Sequence, residues 1–338
     1  MVRWGVLGLG RAANSFANAI KEVENAKLTS IASLSKKKNL TFGKKFDIEK
    51  NCRFDTYEEL INCEKIDVVY IATLNNTHAD LIIKAAKAKK GILCEKPMIL
   101  TETESKQVFD QLNKSKVFFL EAIAYRSHPQ TIEITNQILN NEIGDVIKIE
   151  SSFGFRVNPL LKFKPGHRLF NKKLGGGAIN DVGCYPVSLV VLIAKLFQNK
   201  NKETSYDIID AYKKDNFRET DDEGYLKIKF HNLFEAELKI SIKEDLIKPT
   251  IIYGSKGKMI ISNPWLPNKN TVIEIITSKN NYKKKITSKY SVYANTIKAA
   301  SNEIQQNSNY CKYPNMTWQD SFISSKILTE WKNYLYKV

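Results

Sequence analysis

The first sixteen residues, Met1–Phe16, constrain the fold of this chain more than any other stretch. Residues 2–7 form a short apolar run of the kind that makes a buried parallel strand. A glycine-rich turn follows at once, and helix-period apolar residues begin at Ala13. Strand, glycine turn and helix in this order predict a site for the pyrophosphate of a dinucleotide at the helix N-terminus. The expected contacts in this turn are Gly8, Leu9, Gly10, Arg11 and Ala12.

Apolar runs then alternate with helix-period segments through residue 122. The runs that predict further strands lie at 28–33, 67–72, 92–94 and 117–122. This alternation predicts a doubly wound parallel sheet, a Rossmann α/β domain over residues 1–122. Ligands bind such sheets beyond the carboxyl ends of the strands. We therefore expect the polar residues at or just after these ends to contribute to the cofactor site, namely Thr73, Asn75, His78, Glu95 and Lys96.

The pattern changes from about residue 123. After a predicted helix at 129–140, seven strand-like runs lie between residues 146 and 286, with one helix-rich interruption. Consecutive strands of this kind predict a large, mostly antiparallel sheet, so we expect residues 123–338 to form a C-terminal α+β domain. Two helices, at 293–306 and 319–336, are predicted to close the chain.

The composition bears on the partners of the chain. The net charge of +16 is carried by lysines that are spread along the sequence, without the interleaved aromatic residues of a base-stacking surface. We therefore expect no nucleic-acid partner. We find no apolar run that approaches the roughly 20 residues of a membrane span, and the first strand leaves no room for a signal peptide. We expect a cytoplasmic protein with no membrane attachment. The spacing of the five cysteines and four histidines indicates no metal site.

The end of the second predicted strand bears on the choice of cofactor. An acidic residue at this position binds the ribose hydroxyls of NAD and repels a 2′-phosphate. This chain has hydroxyl and ammonium groups there instead, and such groups suit a 2′-phosphate. We therefore expect NADP as the preferred cofactor, with NAD as the alternative. The expected contacts are Ser33, Ser35 and Lys36.

A glycine-rich segment at 174–187 forms the helix-rich interruption of the second half. The run Gly175–Gly177 lets the backbone approach a neighbour closely. Asp181 and Tyr185 are four residues apart, which places them on one face if the segment is helical. Pro186 is expected to kink such a helix. Taken alone, the pattern is equally well explained by Tyr185 as a core aromatic residue and Asp181 as a helix cap.

Four motifs occur in order along the chain: Gly8-Leu9-Gly10; Glu95-Lys96-Pro97; Glu121-Ala122 with Tyr125-Arg126 and His128-Pro129; and Gly175-Gly176-Gly177-Ala178 with Asp181 and Gly183-Cys184-Tyr185-Pro186. Together they resemble the glucose–fructose oxidoreductase / inositol dehydrogenase (Gfo/Idh/MocA) family, in the branch of dimeric dihydrodiol dehydrogenase and NADP-dependent xylose dehydrogenase. The resemblance covers nearly the whole chain. It implies an NAD(P)-binding Rossmann domain, a second domain for substrate binding and oligomerisation, and assembly as a homodimer or homotetramer.

The resemblance also implies that Lys96 and Tyr185 form the catalytic pair. Hydride transfer at a hydroxyl-bearing carbon needs a group that takes or gives the hydroxyl proton. A tyrosine with its ordinary pKa of about 10 is a poor base at neutral pH, and a nearby ammonium group favours the phenolate. Asp181 is implied to bind a substrate hydroxyl, and Arg168 to meet substrate or cofactor phosphate.

The expected function is hydride transfer between a nicotinamide and the hydroxyl-bearing carbon of a sugar, cyclitol or trans-diol. One alternative is a non-catalytic sensor of NAD(P) and sugar with the same fold, although a sensor has no need for a proton relay. Another is an NAD-dependent glycosidase that retains its cofactor. A small carbohydrate-like molecule is the expected partner.

Overall fold

The computed structural model describes residues 1–164, 166–197, 204–217, 219–246 and 248–334. The chain divides into two compact units, residues 1–127 with 289–318, and residues 128–288 with 319–338. These units differ from the expected ranges 1–122 and 123–338 mainly because residues 289–318 return to the first unit. There the helix at Val292–Gln305 packs on the first strand and first helix of the chain.

Six parallel strands form the sheet of the first unit: β1 (Val2–Leu7), β2 (Ala26–Ala32), β3 (Arg53–Phe54), β4 (Val68–Ile71), β5 (Gly91–Cys94) and β6 (Phe119–Glu121). Their order is β3-β2-β1-β4-β5-β6, which confirms the predicted doubly wound Rossmann sheet. The helices between them are α1 (Arg11–Ala19), α2 (Lys36–Lys45), α3 (Tyr57–Ile61), α4 (His78–Lys87) and α5 (Glu102–Ser115). The two-residue β3 and the five-residue α3 were not predicted, because neither is long enough to show a periodic pattern.

The register of this sheet brings the strand ends to one edge. Leu7 pairs with Ile71, Ile71 pairs with Cys94, and Cys94 pairs with Glu121. All four residues of β4 are buried, as expected for a parallel strand covered on both faces. The chain therefore leaves β1, β4, β5 and β6 at neighbouring points, where a ligand of such a sheet binds.

Eight strands form the sheet of the second unit: β7 (Val146–Gly154), β8 (Tyr206–Asp215), β9 (Asp221–Phe230), β10 (Glu235–Ser241), β11 (Thr250–Gly254), β12 (Gly257–Ile261), β13 (Asn270–Thr277) and β14 (Asn281–Thr287). Their order is β14-β13-β12-β11-β7-β10-β9-β8. Only the pair β7 and β10 is parallel among the pairings described, so the predicted large, mostly antiparallel sheet is confirmed. Strand β8 was not predicted.

The remaining helices are α6 (Pro129–Leu139), α7 (Cys184–Leu196), α8 (Val292–Gln305) and α9 (Trp318–Asn333). The predicted final helix 319–336 extends into residues 335–338, which lie outside the described residues. One stretch, Lys172–Leu196, is long and apolar enough by composition to cross a membrane, which corrects the expectation that no run approaches that length. Its apolar window is 94% buried inside the protein, as in the core helix of a soluble protein.

Candidate functional site

The turn between β1 and α1 has the shape of a phosphate-binding turn. Gly8 has a φ of +84°, and a Cβ atom there would lie 2.8 Å from the carbonyl oxygen of Ala72, so only glycine fits. A Cβ atom at Gly10 would meet no atom of the described chain within 4 Å. The space in front of Gly10 is therefore open to a ligand.

The start of α1 suits the pyrophosphate of a dinucleotide. Within the described residues no side chain caps this helix and its first turn has no acidic group, so its N-terminal dipole is not neutralised. Leu9 is buried, Ala12 is half-buried and Arg11 is exposed. An uncapped helix start beside open space is the arrangement that a phosphate group needs, and the contacts of residues 8–12 with a cofactor stay a prediction.

The end of β2 holds the groups expected near the adenosine ribose. The Ser33 hydroxyl accepts a hydrogen bond from the Ser35 N–H at 3.2 Å, and the Ser35 hydroxyl caps α2. The side chain of Lys36 is 89% exposed, and its Nζ lies 3.9 Å from Asp55. Asp55 was not singled out from the sequence, because it follows β3, a strand too short to predict.

The end of β4 lies against the glycine turn. A Cβ atom at Gly8 would lie 2.9 Å from the methyl group of Thr73. The Thr73 hydroxyl lies 2.6 Å from the Thr77 hydroxyl, which also donates to the carbonyl of Leu74. These bonds fix a short helical turn, Asn75–Thr77, in front of α4. Thr73 and Asn75 therefore lie at the carboxyl end of β4, and their contact with a cofactor stays a prediction.

His78 supports the turn that carries Lys96. Its ring is fully buried, and Nδ1 lies 2.9 Å from the carbonyl oxygen of Pro97, to which it donates. Burial, helped by the charge of Lys96 and opposed by the backbone hydrogen bonds of the ring, lowers the pKa of His78 to about 4, so the ring is neutral at physiological pH. The buried ring holds the turn that carries Lys96, and its predicted contact with the cofactor stays a prediction.

Two buried carboxylates flank the same turn. Glu95 accepts a hydrogen bond from the hydroxyl of Tyr70, and Glu121 accepts one from the N–H of Met98 at 3.1 Å. Burial and the Glu95 carboxylate raise the pKa of Tyr70 well above its usual value. Lys96 directly follows Glu95 in the chain and is half-buried. In the sequence, Tyr70 is indistinguishable from the other buried residues of β4, so its bond to Glu95 could not be predicted.

In the second unit, the glycine run packs against the chain itself. Gly177 has a φ of +107°, and its N–H donates to the carbonyl of Leu169 at 2.9 Å. A Cβ atom at Gly177 would lie 2.3 Å from Oδ1 of Asp221. The close approach expected of the glycine run is therefore made to the Leu169 backbone and to Asp221.

Asp181 and Arg168 form an ion pair. Arg168 Nη1 lies 2.9 Å from Asp181 Oδ1, and the Asp181 side chain is 8% exposed against 41% for Arg168. The family resemblance predicts that Arg168 meets a substrate or cofactor phosphate. In the structure its guanidinium donates a charge-assisted hydrogen bond to the Asp181 carboxylate.

Tyr185 stands at the start of α7, directly after a wide turn. The turn, Ile179–Gly183, has π-helical geometry, a form that occurs frequently at functional sites. The Tyr185 ring is half-buried and meets Phe153 edge-on at 5.0 Å and Trp265 at 6.1 Å between ring centres. Pro186 lies inside the helical segment, three residues after the end of the π turn, where it has no N–H to donate to the preceding turn.

Lys96 belongs to the first unit, whereas Asp181, Tyr185 and Arg168 belong to the second. Within the described residues, no group of three or more His, Cys, Asp or Glu side chains is arranged to hold a metal ion.

Comparison with known proteins gives matches along most of the chain. A family model described as "Oxidoreductase family, NAD-binding Rossmann fold" (GFO_IDH_MocA) matches residues 2–122. The "GFO/IDH/MocA C-terminal domain" model matches residues 132–260.

Two curated relatives illustrate the sequence similarity. Trans-1,2-dihydrobenzene-1,2-diol dehydrogenase of Xenopus tropicalis is 28% identical over 270 residues, covering 78% of this chain and 77% of the relative. D-xylose 1-dehydrogenase (NADP(+)) of Hypocrea jecorina is 29% identical over 203 residues, covering 56% of this chain and 52% of the relative.

Two solved structures share the fold. A 3-ketoreductase from Actinomadura kijaniata, solved with NADP and TDP-benzene, has a TM-score of 0.83 at 20% identity and covers 97% of this chain and 96% of its own. An aldose-aldose oxidoreductase from Caulobacter crescentus has a TM-score of 0.84 at 20% identity, covering 98% of this chain and 97% of its own.

Proposed function

This chain belongs to the Gfo/Idh/MocA family of oxidoreductases, and we propose that it transfers a hydride between NADP and the hydroxyl-bearing carbon of a sugar, cyclitol or trans-diol. As a member of this family it is an NAD(P)-dependent enzyme that acts on hydroxyl groups. One observation carries the finer proposal. A single helical segment presents the phenol of Tyr185 and the carboxylate of Asp181, in a chain whose first unit has the open glycine turn of a dinucleotide site.

The first unit holds the cofactor in this proposal. The backbone of Gly8–Ala12 binds the pyrophosphate, and Thr73 and Asn75 lie beside the ligand edge of the sheet. Lys36 and the serine hydroxyls at the end of β2 receive the adenosine ribose and its 2′-phosphate, so NADP is preferred over NAD. The bound nicotinamide supplies the hydride chemistry.

The second unit handles the substrate. Tyr185 Oη takes or gives the hydroxyl proton, and the Lys96 ammonium group favours the phenolate form of Tyr185. Asp181, held by Arg168, accepts a hydrogen bond from a second substrate hydroxyl. The rings of Phe153 and Trp265 fix the orientation of the Tyr185 ring and exclude water from one side of it.

A steady-state assay tests this function. Nicotinamide absorbance is followed with NADP+ and NAD+ against aldoses, cyclitols, trans-diols and nucleotide sugars, for the wild type and Tyr185→Phe. We expect turnover with at least one class, and a loss of about 10²-fold or more in the variant, the usual contribution of a general acid–base group. Dinucleotide affinity, measured by fluorescence titration, should be unchanged in the variant.

Other outcomes support other functions. If NADP binds but no compound on the panel is turned over, the non-catalytic sensor is favoured. If the cofactor co-purifies and a glycoside is hydrolysed without net change in nicotinamide absorbance, the chain is a glycosidase with retained cofactor. If neither dinucleotide binds, the assignment of the glycine turn is wrong.

We further propose that the protein acts in the cytoplasm as a homodimer or homotetramer. Light scattering coupled to size-exclusion chromatography measures the assembly directly. A mass equal to that of one chain would contradict the proposed oligomer.

A further inference from the structure

The carboxylate of Asp221 lies at the start of the helical segment that carries Asp181 and Tyr185. Asp221 Oδ2 accepts a hydrogen bond from the Ile179 N–H at 2.6 Å, and the residue is only 6% exposed. On its other side, Oδ1 occupies the space that a side chain at Gly177 would need. The carboxylate is therefore enclosed between the glycine run and the first turn of the helical segment.

We propose that Asp221 is a positioning residue of the reaction, which fixes the wide turn Ile179–Gly183 and thereby the orientation of Asp181 and Tyr185. This inference rests on the proposed function, because it takes Asp181 and Tyr185 as the groups that need orientation. It assigns Asp221 no contact with substrate or cofactor.

The need for such a residue follows from the geometry of the segment. The first N–H groups of a helical segment have no partner within it, and a negative charge there also interacts favourably with the helix dipole. A π turn is a less favourable arrangement than a regular turn and persists only where neighbouring groups hold it. The bond to Ile179 is one such external constraint, made two residues before Asp181.

The strand that carries Asp221 makes the constraint rigid. Asp221 is the first residue of β9 and pairs with Asp215 of β8 next to a shift in the register, while β10 pairs with β9 from Glu223 onwards. A functional side chain is held more accurately from a paired strand than from a loop. The helical segment is thus tied to the sheet of its own unit at the point where the catalytic groups begin.

The neighbouring aspartate provides a matched comparison. Asp222 is as deeply buried as Asp221, but its carboxylate binds Lys162 and the amide of Asn216, the latter at 2.7 Å. Asp222 lies at a break in the register, where Glu223 pairs with Lys214 and Asp221 with Asp215, and its carboxylate shares no side-chain partner with that of Asp221 among the bonds described. Replacing Asp222 therefore removes a buried carboxylate from the same strand without removing the bond to Ile179.

The test uses Asp221→Ala, Asp221→Asn and Asp222→Asn in the full chain. We expect Asp221→Ala to lower kcat about tenfold or more, because a small displacement of catalytic groups has effects of this size. The affinity for NADP should stay within about twofold, since a dinucleotide held by the first unit does not depend on this bond. Asp221→Asn should recover most of the loss, because its amide oxygen accepts the same hydrogen bond. Asp222→Asn should retain kcat.

Hydrogen exchange of the 179–185 amides gives a readout that does not depend on activity. We expect exchange to be faster in Asp221→Ala than in the wild type and unchanged in Asp222→Asn. If the wild type turns over no substrate, the proposed function fails while this measurement still decides whether Asp221 fixes the turn. Asp221→Ser, whose hydroxyl is too short to reach Ile179, replaces the alanine variant if that variant does not fold.

Two results would overturn the inference. The first is a folded Asp221→Ala protein with wild-type kcat and wild-type exchange at 179–185. The second is an equal loss of kcat and equally fast exchange in Asp222→Asn, which would show that any buried carboxylate on β9 has the same effect.

Discussion

The ring of His78 lies with Nδ1 2.9 Å from the carbonyl oxygen of Pro97, the residue that follows Lys96. Because a carbonyl only accepts, Nδ1 carries the hydrogen, and the fully buried ring is neutral at physiological pH. A residue from the start of α4 therefore fixes the turn after β5 through one hydrogen bond. We therefore expect the orientation of Lys96, the residue before Pro97, to depend on that bond.

Replacing His78 with leucine should impair catalysis more than cofactor binding. His78→Leu keeps a buried side chain but leaves the Pro97 carbonyl without its donor, so the turn that carries Lys96 is loosened. We expect kcat to fall about tenfold or more, as for other small displacements of catalytic groups. His128→Leu is the matched control, because His128 is also fully buried but caps α6 in the second unit. An equal fall in kcat for both variants would contradict the role of His78.

The same residue should give stability a defined pH dependence. Burial lowers the pKa of His78 to about 4 from 6.5, so the unfolded chain binds a proton that the folded chain does not between these values. Above pH 6.5 the neutral ring contributes about 3 kcal/mol to the free energy of unfolding. This contribution is lost as the pH falls through about 4. Chemical unfolding from pH 4 to 8 should show the deficit of His78→Leu shrinking towards pH 4. A deficit that is constant with pH would contradict the prediction.

Alanine at the two glycines of the first turn should separate folding from binding. Gly8→Ala places a methyl group 2.8 Å from the Ala72 carbonyl at a φ of +84°, and should cost about 1–3 kcal/mol of stability. Gly10→Ala meets no atom of the described chain within 4 Å and should change stability by less than about 0.5 kcal/mol. It should nevertheless weaken NADP binding, because the methyl group fills the space left for the pyrophosphate. Titration and thermal unfolding of both variants check this, and normal NADP affinity in Gly10→Ala would show that the dinucleotide does not approach this turn.

The architecture could be predicted because it depends on patterns that are local in the sequence. The buried run of β4 and the alternation of strands and helices identify a parallel sheet without knowledge of any contact. The predicted family, enzyme class and cofactor class are confirmed by the matches over residues 2–122 and 132–260. Short elements such as β3 could not be predicted, because two residues show no period.

The candidate site was less predictable, because the roles of its residues depend on distant partners. The sequence indicates that His78 begins a helix, but its bond to Pro97 joins residues nineteen apart. The bond between Asp221 and Ile179 joins residues forty-two apart. Gly177 indicates that a neighbouring group approaches the backbone closely, but the sequence does not identify that group as Asp221. The family resemblance implied a phosphate contact for Arg168, and the sequence did not indicate its ion pair with Asp181, thirteen residues away. The pairing of Lys96 with Tyr185 stays a prediction.

Reversing the charge of Lys36 should alter the choice between the two cofactors. Lys36 is exposed at the start of α2, and Asp55 is the acidic group found beside it. We expect Lys36→Glu to weaken NADP binding about tenfold or more, about 1.4 kcal/mol, because it removes a cation from the 2′-phosphate and adds an anion. NAD affinity should change by less than about twofold, since NAD has no such phosphate. Lys37→Glu changes the net charge by the same amount and is the control. If it weakens NADP binding equally, Lys36 acts through the overall charge of the protein and not through a contact with the 2′-phosphate.

Removing the charge of Asp221 should stabilise the protein at neutral pH. Burial raises the pKa of Asp221 to about 6 from 3.8, whereas the bond from Ile179 and the charge of Lys213 on β8 lower it and Asp215 on β8 raises it. The folded chain therefore holds a proton on this group that the unfolded chain has released between these values. Below about pH 4 the protonated carboxyl group contributes about 3 kcal/mol to the free energy of unfolding. This contribution is lost as the pH rises through about 6.

Asp221→Asn cannot ionise, so it avoids that loss while its amide oxygen still accepts from Ile179. The free energy of unfolding of Asp221→Asn minus that of the wild type should be larger at pH 7.5 than at pH 4, by up to about 3 kcal/mol, which means that the variant gains relative stability as the pH rises. Chemical unfolding of both proteins across this range measures the difference. Asp222→Asn should show no such gain, because Lys162 neutralises the Asp222 carboxylate. Parallel curves for the wild type and Asp221→Asn would mean that the Asp221 carboxylate is not held in the buried environment between Gly177 and Ile179.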